Sequence, residues 1–520
     1  MGGQILNSAW PKIPSADELF ECDFATHEQF VRAYAHERGQ HIAVCDESEV
    51  YSYSELNAVM DSIAAALQRD GIGKGDVVAT CATNSAKAAA LFLGILRAGA
   101  VVAPLPPAGA ADALAGMLRD AGAQIVFSSD DAAGIGAAAQ SSGVRNIQVE
   151  FLDQWYQGAG NPTPVKVKPS DAFNIIYSSG TTGVPKGIVQ PYSMRWAQIR
   201  RGVYAPDSVT LLSTPLYSNT TLVSFLPTIA NGGTAILMRK FDAGRFLRLA
   251  ELHRVTHAML VPVQYQRILS HPEFDQFDLS SFQTKFATSA PFSAELKAEV
   301  LRRWPGGLVE FYGMTEGGGS CMLLAHEHPD KLHTVGQPMA GHDIRLIDDD
   351  GIEVKKGEQG EVVGRSAVMM REYHNLPAQT DAASWRSPEG LRFIRTGDIG
   401  RYDEDGFLVL VDRKKDMIIS GGFNIYPSDI EVELLRNEHV AEAAVVGVPS
   451  DRWGETPVAF VVPKPGAQAD QILDWVNERL GKTQRLADLR LIDELPRSPI
   501  GKVLKRELRE FYGSAVHERG

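Results

Sequence analysis

Val77-Val78-Ala79-Thr80-Cys81, the helix-length run Ser85 to Arg97, and Val101-Val102-Ala103-Pro104-Leu105 stand in tandem. A short apolar strand, a helix and a second short strand make a β-α-β rhythm, the unit of a mostly parallel sheet covered by helices. N-terminal to this unit, Ser54 is an N-cap candidate ahead of Leu56, Val59, Met60, Ile63 and Leu67. Those five recur at helical spacing until Gly71 and Gly73 end the pattern. C-terminal to it, Val209 to Ser213 and Thr234 to Met238 read as strands flanking an apolar helix. Ala258 to Val261 and Lys285 to Thr288 read as two more. From about Gly336 the texture changes. Ile344 to Ile347, Gly360 to Gly364 and Phe407 to Val411 are short runs set apart by turns such as Asp350-Gly351 and Asp405-Gly406. They predict antiparallel strands in a small barrel or sheet. Asp412-Arg413-Lys414-Lys415-Asp416 is a dense charge run ahead of a smaller α+β unit. It reads as an interdomain hinge, 412–416, between an N-terminal domain, 1–411, and a C-terminal domain, 417–520.

A chain of 520 residues corresponds to roughly three units at about 150 residues per domain. Apolar residues make up 44% of it and charged residues 22%, enough to bury a large core. The formal net charge of −13 argues against a general nucleic-acid or anionic-membrane surface, while allowing a locally positive pocket. Cys22, Cys45, Cys81 and Cys321 are scattered, with no C-x-x-C pair. That fits reduced thiols and a cytoplasmic location better than a disulfide framework or a zinc site. The start of the chain lacks a charged segment followed by an apolar core, so no secretory leader is expected. Ala88 to Pro107 is the longest apolar stretch, but Arg97 interrupts it and prolines end it. It reads as a buried helix and strand, and no integral membrane association is expected.

Chemistry is announced by Tyr177-Ser178-Ser179-Gly180-Thr181-Thr182-Gly183-Val184-Pro185-Lys186-Gly187, which follows an apolar strand, Phe173 to Tyr177. The glycines let the backbone turn tightly and present N–H groups to an anion; the hydroxyls add neutral donors, and Lys186 adds a positive charge. A polyphosphate needs such a nest. A Walker loop would place Lys after Gly and a hydroxyl after Lys. Here Pro185 precedes Lys186 and Gly187 follows it, so an ordinary P-loop NTPase is disfavoured. A Gly/Ser/Thr loop alone would more often be a linker, but the fixed Pro-Lys-Gly makes this string far more specific.

The string resembles that of adenylate-forming enzymes: acyl-CoA synthetases, nonribosomal adenylation domains and luciferases. The resemblance runs from about Tyr53 to Lys505. It implies an α/β fold: a large N-terminal domain of mostly parallel sheets plus a β-barrel-like subdomain, then a small mobile α+β domain. It implies ATP, Mg²⁺ and coenzyme A, and catalytic roles for Thr182, Lys186, Glu316 and Lys502. Ser178, Ser179, Gly180, Thr181, Thr182, Gly183 and Lys186 would hold phosphates. In Tyr312-Gly313-Met314-Thr315-Glu316 the Tyr would lie against adenine, the Thr would touch the α-phosphate, and the Glu would help hold the metal. Thr396-Gly397-Asp398, followed fifteen residues after Asp398 by Arg413, would bind the ribose hydroxyls. Ser420-Gly421-Gly422-Phe423-Asn424-Ile425-Tyr426-Pro427 looks more like acyl-CoA ligases than amino-acid adenylation domains, with Gly421 and Gly422 beside the pantetheine arm. Leu495-Pro496-Arg497-Ser498-Pro499-Ile500-Gly501-Lys502 puts the family's catalytic lysine on Lys502, and Lys415 matches its pivot.

Three places depart from the family pattern. Ser218 stands after Pro215-Leu216-Tyr217, where His is frequent. Thr288 and Ser289 replace two glycines ahead of Ala290 and Pro291, in a segment expected against the adenine or the acyl group. Lys482-Thr483-Gln484-Arg485-Leu486 replaces a Tyr-Lys-x-Pro string. Arg485 and Trp453 are candidates for contacting CoA and equally candidates for ordinary surface and packing positions. Tyr217, Ser218, Phe311, Gly313 and Gly318 are the expected acyl lining. None is charged and the glycines at 317–319 leave space, so an aliphatic or aromatic monocarboxylic acid is expected rather than a dicarboxylate. The activity expected is an AMP-forming acyl-CoA ligase acting on small molecules. The rival readings are a stand-alone adenylation enzyme loading a carrier protein, a luciferase-like oxygenase, and a non-catalytic nucleotide-binding or scaffold protein. Eighteen residues follow Lys502, so no fused carrier is expected, and a homodimer is left open.

Overall fold

A computed structural model describes residues 13–178, 185–420, 423–450, 453–482, 484–498 and 501–517. The β-α-β unit forms as its sequence predicts. Val77–Cys81 and Val101–Pro104 pair in parallel, with Val77 opposite Val101. Helix Ala86–Arg97 crosses between them, capped by the Ser85 side chain, which accepts from the Ala88 N–H. This helix is buried all round because it lies between two sheets. One is seven-stranded, with Val77–Cys81 and Val101–Pro104 near its centre; the other is nine-stranded, with Val209–Leu212 and Thr234–Leu237 in its parallel part. The largest apolar core fills the space between, joining Val78, Val102 and Phe173 to Leu212, Leu237 and Phe225.

The helix expected from Ser54 is Tyr53–Arg69, and its N-cap is Ser52. Glu55 lies three residues after Ser52, so the two side chains cap each other's backbone N–H groups reciprocally. Ser54 instead turns its hydroxyl to the Ala35 carbonyl (3.3 Å). The strand expected at 258–261 is His257–Leu260, because Val261 is already the N-cap of helix Pro262–Leu269.

Asp343–Ile347, Gly360–Arg365, Arg392–Tyr402, Leu408–Arg413 and Ser384–Arg386 form the antiparallel third sheet. Among the described residues its ladder stays open, so it is a sheet and not a closed barrel. Strand Leu408–Arg413 consumes the first two residues of the expected hinge, leaving 414–416 as the turn.

Beyond that turn, strands Ile418–Ser420, Val440–Ser450, Gly454–Pro463 and Asp488–Leu491 carry helices Pro427–Leu435, Ala469–Asn477 and Lys505–His517. This C-terminal lobe has its own cores around Val445 and Phe460. Among the described residues no apolar cluster draws from both sides of 414–416.

Candidate active site

The phosphate-loop string caps an antiparallel pair, Ala172–Ser178 and Lys186–Pro191, in which Ser178 lies opposite Lys186. Five expected phosphate contacts, Ser179, Gly180, Thr181, Thr182 and Gly183, lie outside the described residues. The Lys186 Nζ stands 5.2 Å from the centre of the Tyr373 ring. The Tyr373 hydroxyl donates to Glu316 Oε1 (2.7 Å), and the Met370 N–H donates to the Glu316 carbonyl (2.7 Å). One tyrosine thus connects the expected phosphate cation to the expected metal carboxylate. Burial, with the Glu316 charge beside it, raises the Tyr373 hydroxyl above the ordinary tyrosine range, so it stays a donor.

The pair expected at the ribose, Asp398 and Arg413, is a product of strand register. Asp398 lies opposite Arg413 in adjacent antiparallel strands. Asp398 Oδ1 is 2.8 Å from Arg413 Nε, and Oδ2 accepts from the Tyr312 hydroxyl (2.8 Å). Gly397, at φ 72°, supplies the left-handed turn that leads into Asp398.

Lys502 sits on a tight turn. The Gly501 N–H donates to the Ser498 carbonyl (2.8 Å), the Ser498 N–H to the Lys502 carbonyl (2.8 Å), and Arg497 Nη1 to the Gly501 carbonyl (2.9 Å). Gly501 rests on the large lobe, where an added Cβ would come within 2.8 Å of Val263 Cγ1. Burial, then the neighbouring Arg413 and Lys415 charges, lower the Lys502 ammonium to about 8, against pulls from Asp398 and Asp416. The structure therefore brings Lys502 from the C-terminal lobe within reach of the Asp398 and Arg413 charges.

Residues 31–374 match the AMP-binding enzyme family, and residues 429–502 match the AMP-binding enzyme C-terminal domain. The chain belongs to the AMP-binding enzyme family. It is 34% identical over 474 residues to a feruloyl-CoA synthase from Amycolatopsis sp, covering 89% of this chain and 94% of that one. It is 32% identical over 480 residues to a long-chain-fatty-acid–CoA ligase from Mycobacterium tuberculosis, again covering 89% and 94%. ATP-bound MatB from Rhodopseudomonas palustris superposes with a TM-score of 0.84 at 30% identity, over 94% of this chain and 99% of that one. This AMP-binding enzyme is an AMP-forming acyl-CoA ligase that takes a small carboxylic acid, ATP with Mg²⁺, and CoA. No helix among the described residues is long and apolar enough to cross a membrane.

Glu316 suits Mg²⁺ in this family member. That ion takes one or two carboxylates and completes its shell with water and phosphate oxygens. Among the described residues no cluster of three or more ligating side chains offers a protein cage instead. Gly421 and Gly422, the expected pantetheine contacts, lie outside the described residues.

A buried polar network beside Thr315 carries no sequence motif. Buried Gln190 donates to the Thr315 carbonyl (2.7 Å) and reaches Asn219 Oδ1 (3.4 Å). Its own carboxamide oxygen accepts from Arg195, which also donates to Asn174 Oδ1 (3.0 Å) and Gln198 Oε1 (2.9 Å). Arg195 is 1% exposed and has no carboxylate partner among the described residues; burial lowers it to about 9.

Ser289 adopts φ 80°, a left-handed conformation costly for a residue with a side chain. Its hydroxyl lies 2.7 Å from that of Thr220. Ala290 is half-buried and Pro291 exposed.

Of the acyl expectations, one position has a structural role besides, and one inference about space needs correction. Ser218 is the N-cap of helix Asn219–Ala230, accepting from the Thr220 N–H, so its hydroxyl has structural work. The glycines at 317–319 are small because backbone packs on them: a Cβ on Gly317 would meet the Val368 carbonyl at 2.1 Å, and one on Gly318 the Gly364 carbonyl at 2.8 Å. The positions their side chains would occupy are therefore already filled. Tyr217 is half-buried, its hydroxyl pushed up to about 12 by burial, and Phe311 packs 5.9 Å from Phe286. Gly313 is exposed.

Proposed function

We propose that this ligase activates a medium or long aliphatic, or an aromatic, monocarboxylic acid, and that its C-terminal lobe divides the two half-reactions. In the first, a carboxylate oxygen attacks the α-phosphorus, the bond to the β-phosphate bridge breaks, and pyrophosphate leaves. In the second, the CoA sulfur attacks the acyl carbon, AMP leaves with the former carboxylate oxygen, and the thiol proton passes to solvent. The first step joins two anions. Lys186 and Lys502 offset that repulsion; Glu316 would hold Mg²⁺, which would supply further positive charge to the phosphates. Thr315 and the 178–183 hydroxyls and amides position the α-phosphate, and Asp398 with Arg413 hold the ribose.

The observation that carries this reading is Lys502 at the Asp398–Arg413 pair, reached from a lobe with a core of its own. In the same lobe Ile419 and Phe423 are exposed on the strands that flank positions 421 and 422 in sequence. A lobe with cores of its own suits a second docked arrangement in which CoA enters, with the turn 414–416 as pivot and Lys415 in it. Three of the four free cysteines are buried, which supports the cytoplasmic reading.

The test is a mass-spectrometric survey of products from an acid library, with free CoA and with a phosphopantetheine-bearing carrier protein as acceptors. Acyl-CoA from aliphatic or aromatic acids is expected. A strong preference for malonate-like acids would overturn the acid class, and product on the carrier alone would overturn CoA as acceptor.

A further inference from the structure

Arg201 follows helix Tyr192–Ile199 and is half-buried. Its guanidinium carbon lies 5.7 Å from the centre of the Phe311 ring. Among the described residues its side chain has no hydrogen bond and no ion pair. The neighbours that feel its charge are Arg195, Tyr204 and His342, and each is engaged elsewhere or repels it. The Tyr204 hydroxyl pairs with Ser224 Oγ (2.7 Å), His342 Nδ1 accepts from the Ser320 N–H (2.9 Å), and Arg195 is itself a cation. Burial lowers the Arg201 guanidinium below its usual range. A guanidinium taken from water without an acceptor costs free energy, which a bound acceptor would return.

The location says which ligand brings that acceptor. Phe311 and Tyr312 are consecutive in strand Gly307–Tyr312, so their side chains take opposite faces of the sheet. Tyr312 turns to Asp398 and the ribose pair. Phe311 turns to an apolar cluster of Tyr204, Met259, Phe286 and Val309. Arg201 is therefore on the side away from the ribose pair, at the wall the acyl chain is read to occupy.

We propose that Arg201 is a specificity-determining residue that receives a hydrogen-bond-accepting oxygen at the end of the acid remote from its reacting carboxylate. The inference rests on the acid-activating reading of this site and narrows its substrate class to acids oxygenated at the far end. A preference for the carboxylate arms below would keep Arg201 and replace the monocarboxylic class by a dicarboxylic one. It also corrects the expectation that no charge lines the acyl wall: Arg201 is far from Phe311 in sequence and becomes its neighbour only through the fold.

The test compares acids matched in length: octanoate with 8-hydroxyoctanoate and octanedioate, and 3-phenylpropanoate with its 4-hydroxyphenyl and 4-carboxyphenyl analogues. The wild-type enzyme should favour oxygenated acids over their parents by about tenfold or more in kcat/KM. The hydroxyl and carboxylate arms report which oxygen group is used. Arg201→Met should collapse the ratio while leaving the KM for ATP and the parent acids' turnover in place, and Arg201→Lys should keep part of it. A ratio near one in the wild type, a ratio unchanged in Arg201→Met, or an equal loss on every acid would each overturn the assignment of Arg201 alone. Failure of both acid series, with the protein folded by thermal melting, would overturn the acid class and this inference with it.

Discussion

Asp398 and Lys502 meet at one place but are held there by different means. Asp398 lies inside a strand whose register sets it opposite Arg413, and its two oxygens are occupied by Arg413 and Tyr312. Glu316 is pinned likewise by Tyr373. Lys502 stands on a turn of another lobe; its ammonium has no hydrogen bond to any described residue, and its nearest support is Gly501 against Val263. Groups on the large lobe are fixed, so they can bind nucleotide in one geometry through both half-reactions. The Lys502 ammonium has no such hydrogen bond to a described residue, which suits the proposed role of a group that serves one step and leaves for the next. Its neighbouring cations Arg413 and Lys415 oppose docking of a charged Lys502. Phosphate anions would remove that opposition, so ATP should select the docked arrangement.

The sharpest way to break this contrast is to remove one side of it. Lys502→Ala should slow adenylate formation by about 10²–10³-fold. Thioester formation from supplied acyl-AMP and CoA should be much less affected. Pyrophosphate release measures the first step and acyl-CoA yield from synthetic acyl-AMP the second; equal losses in both would sink the division of labour. Lys415→Pro should do the reverse, keeping pyrophosphate release while most of the thioester rate is lost. Loss of adenylation alone would argue against the pivot.

Gly501→Ala should act on docking without touching the ammonium. The residue is at φ 78°, and its new Cβ would press on Val263. Left-handed backbone costs a residue with a side chain about 1–2 kcal/mol, and adenylation should fall about tenfold on that account. Thioester formation should be spared. Wild-type adenylation in this variant would mean that the 501–263 contact is not the docked one.

Much of the scaffold was legible because it depends on local order. The Val77–Leu105 unit follows from neighbours in sequence, as does the strand that enters the phosphate loop, whereas its hairpin partner Lys186–Pro191 carries no comparable signal. The Asp398–Arg413 pair came with the family resemblance, and strand register explains it. What escaped is long-range. Nothing around Tyr373 announces that its hydroxyl will reach Glu316. Asn174, Gln190 and Arg195 look like surface residues until the fold buries all three. Ser218 was legible as a departure from the family pattern, but not as the cap of helix Asn219–Ala230. The glycines at 317–319 looked like room; they are close backbone contacts, and the sequence does not record which face of a glycine is approached.

Gln190 offers a smaller test on the fixed side. Gln190→Leu would leave the Thr315 carbonyl and one Arg195 donor without their partner, at a cost of about 1–3 kcal/mol. Urea melts should report that loss, and the KM for ATP should rise as Thr315 loosens while CoA-dependent release of acyl groups holds. A melt unchanged from wild type would mean that water replaces the carboxamide and that the network is not positioning Thr315.

The smallest expected effect is on pH dependence, and it separates the two sides by sign. Lys502 titrates near about 8 in the docked enzyme, well below an ordinary lysine, because it is buried among cations. Its ammonium is what adenylation requires, so kcat/KM for that half-reaction should fall a few-fold per pH unit above about 8. Docking should respond in the opposite direction. A lysine whose amine loses its proton more readily when docked than when free stabilises the docked state as pH rises from about 8 toward its unperturbed value. Limited proteolysis at the 414–416 turn, without ATP, should therefore slow over the pH range in which adenylation declines. Lys502→Arg stays charged throughout, so whatever adenylation it retains should lose the alkaline decline, and its proteolysis should lose the pH dependence. If cleavage instead quickened with pH in step with the lost activity, docking would be driven by the ammonium itself, and the contrast between a fixed anion and a reluctantly placed cation would fail.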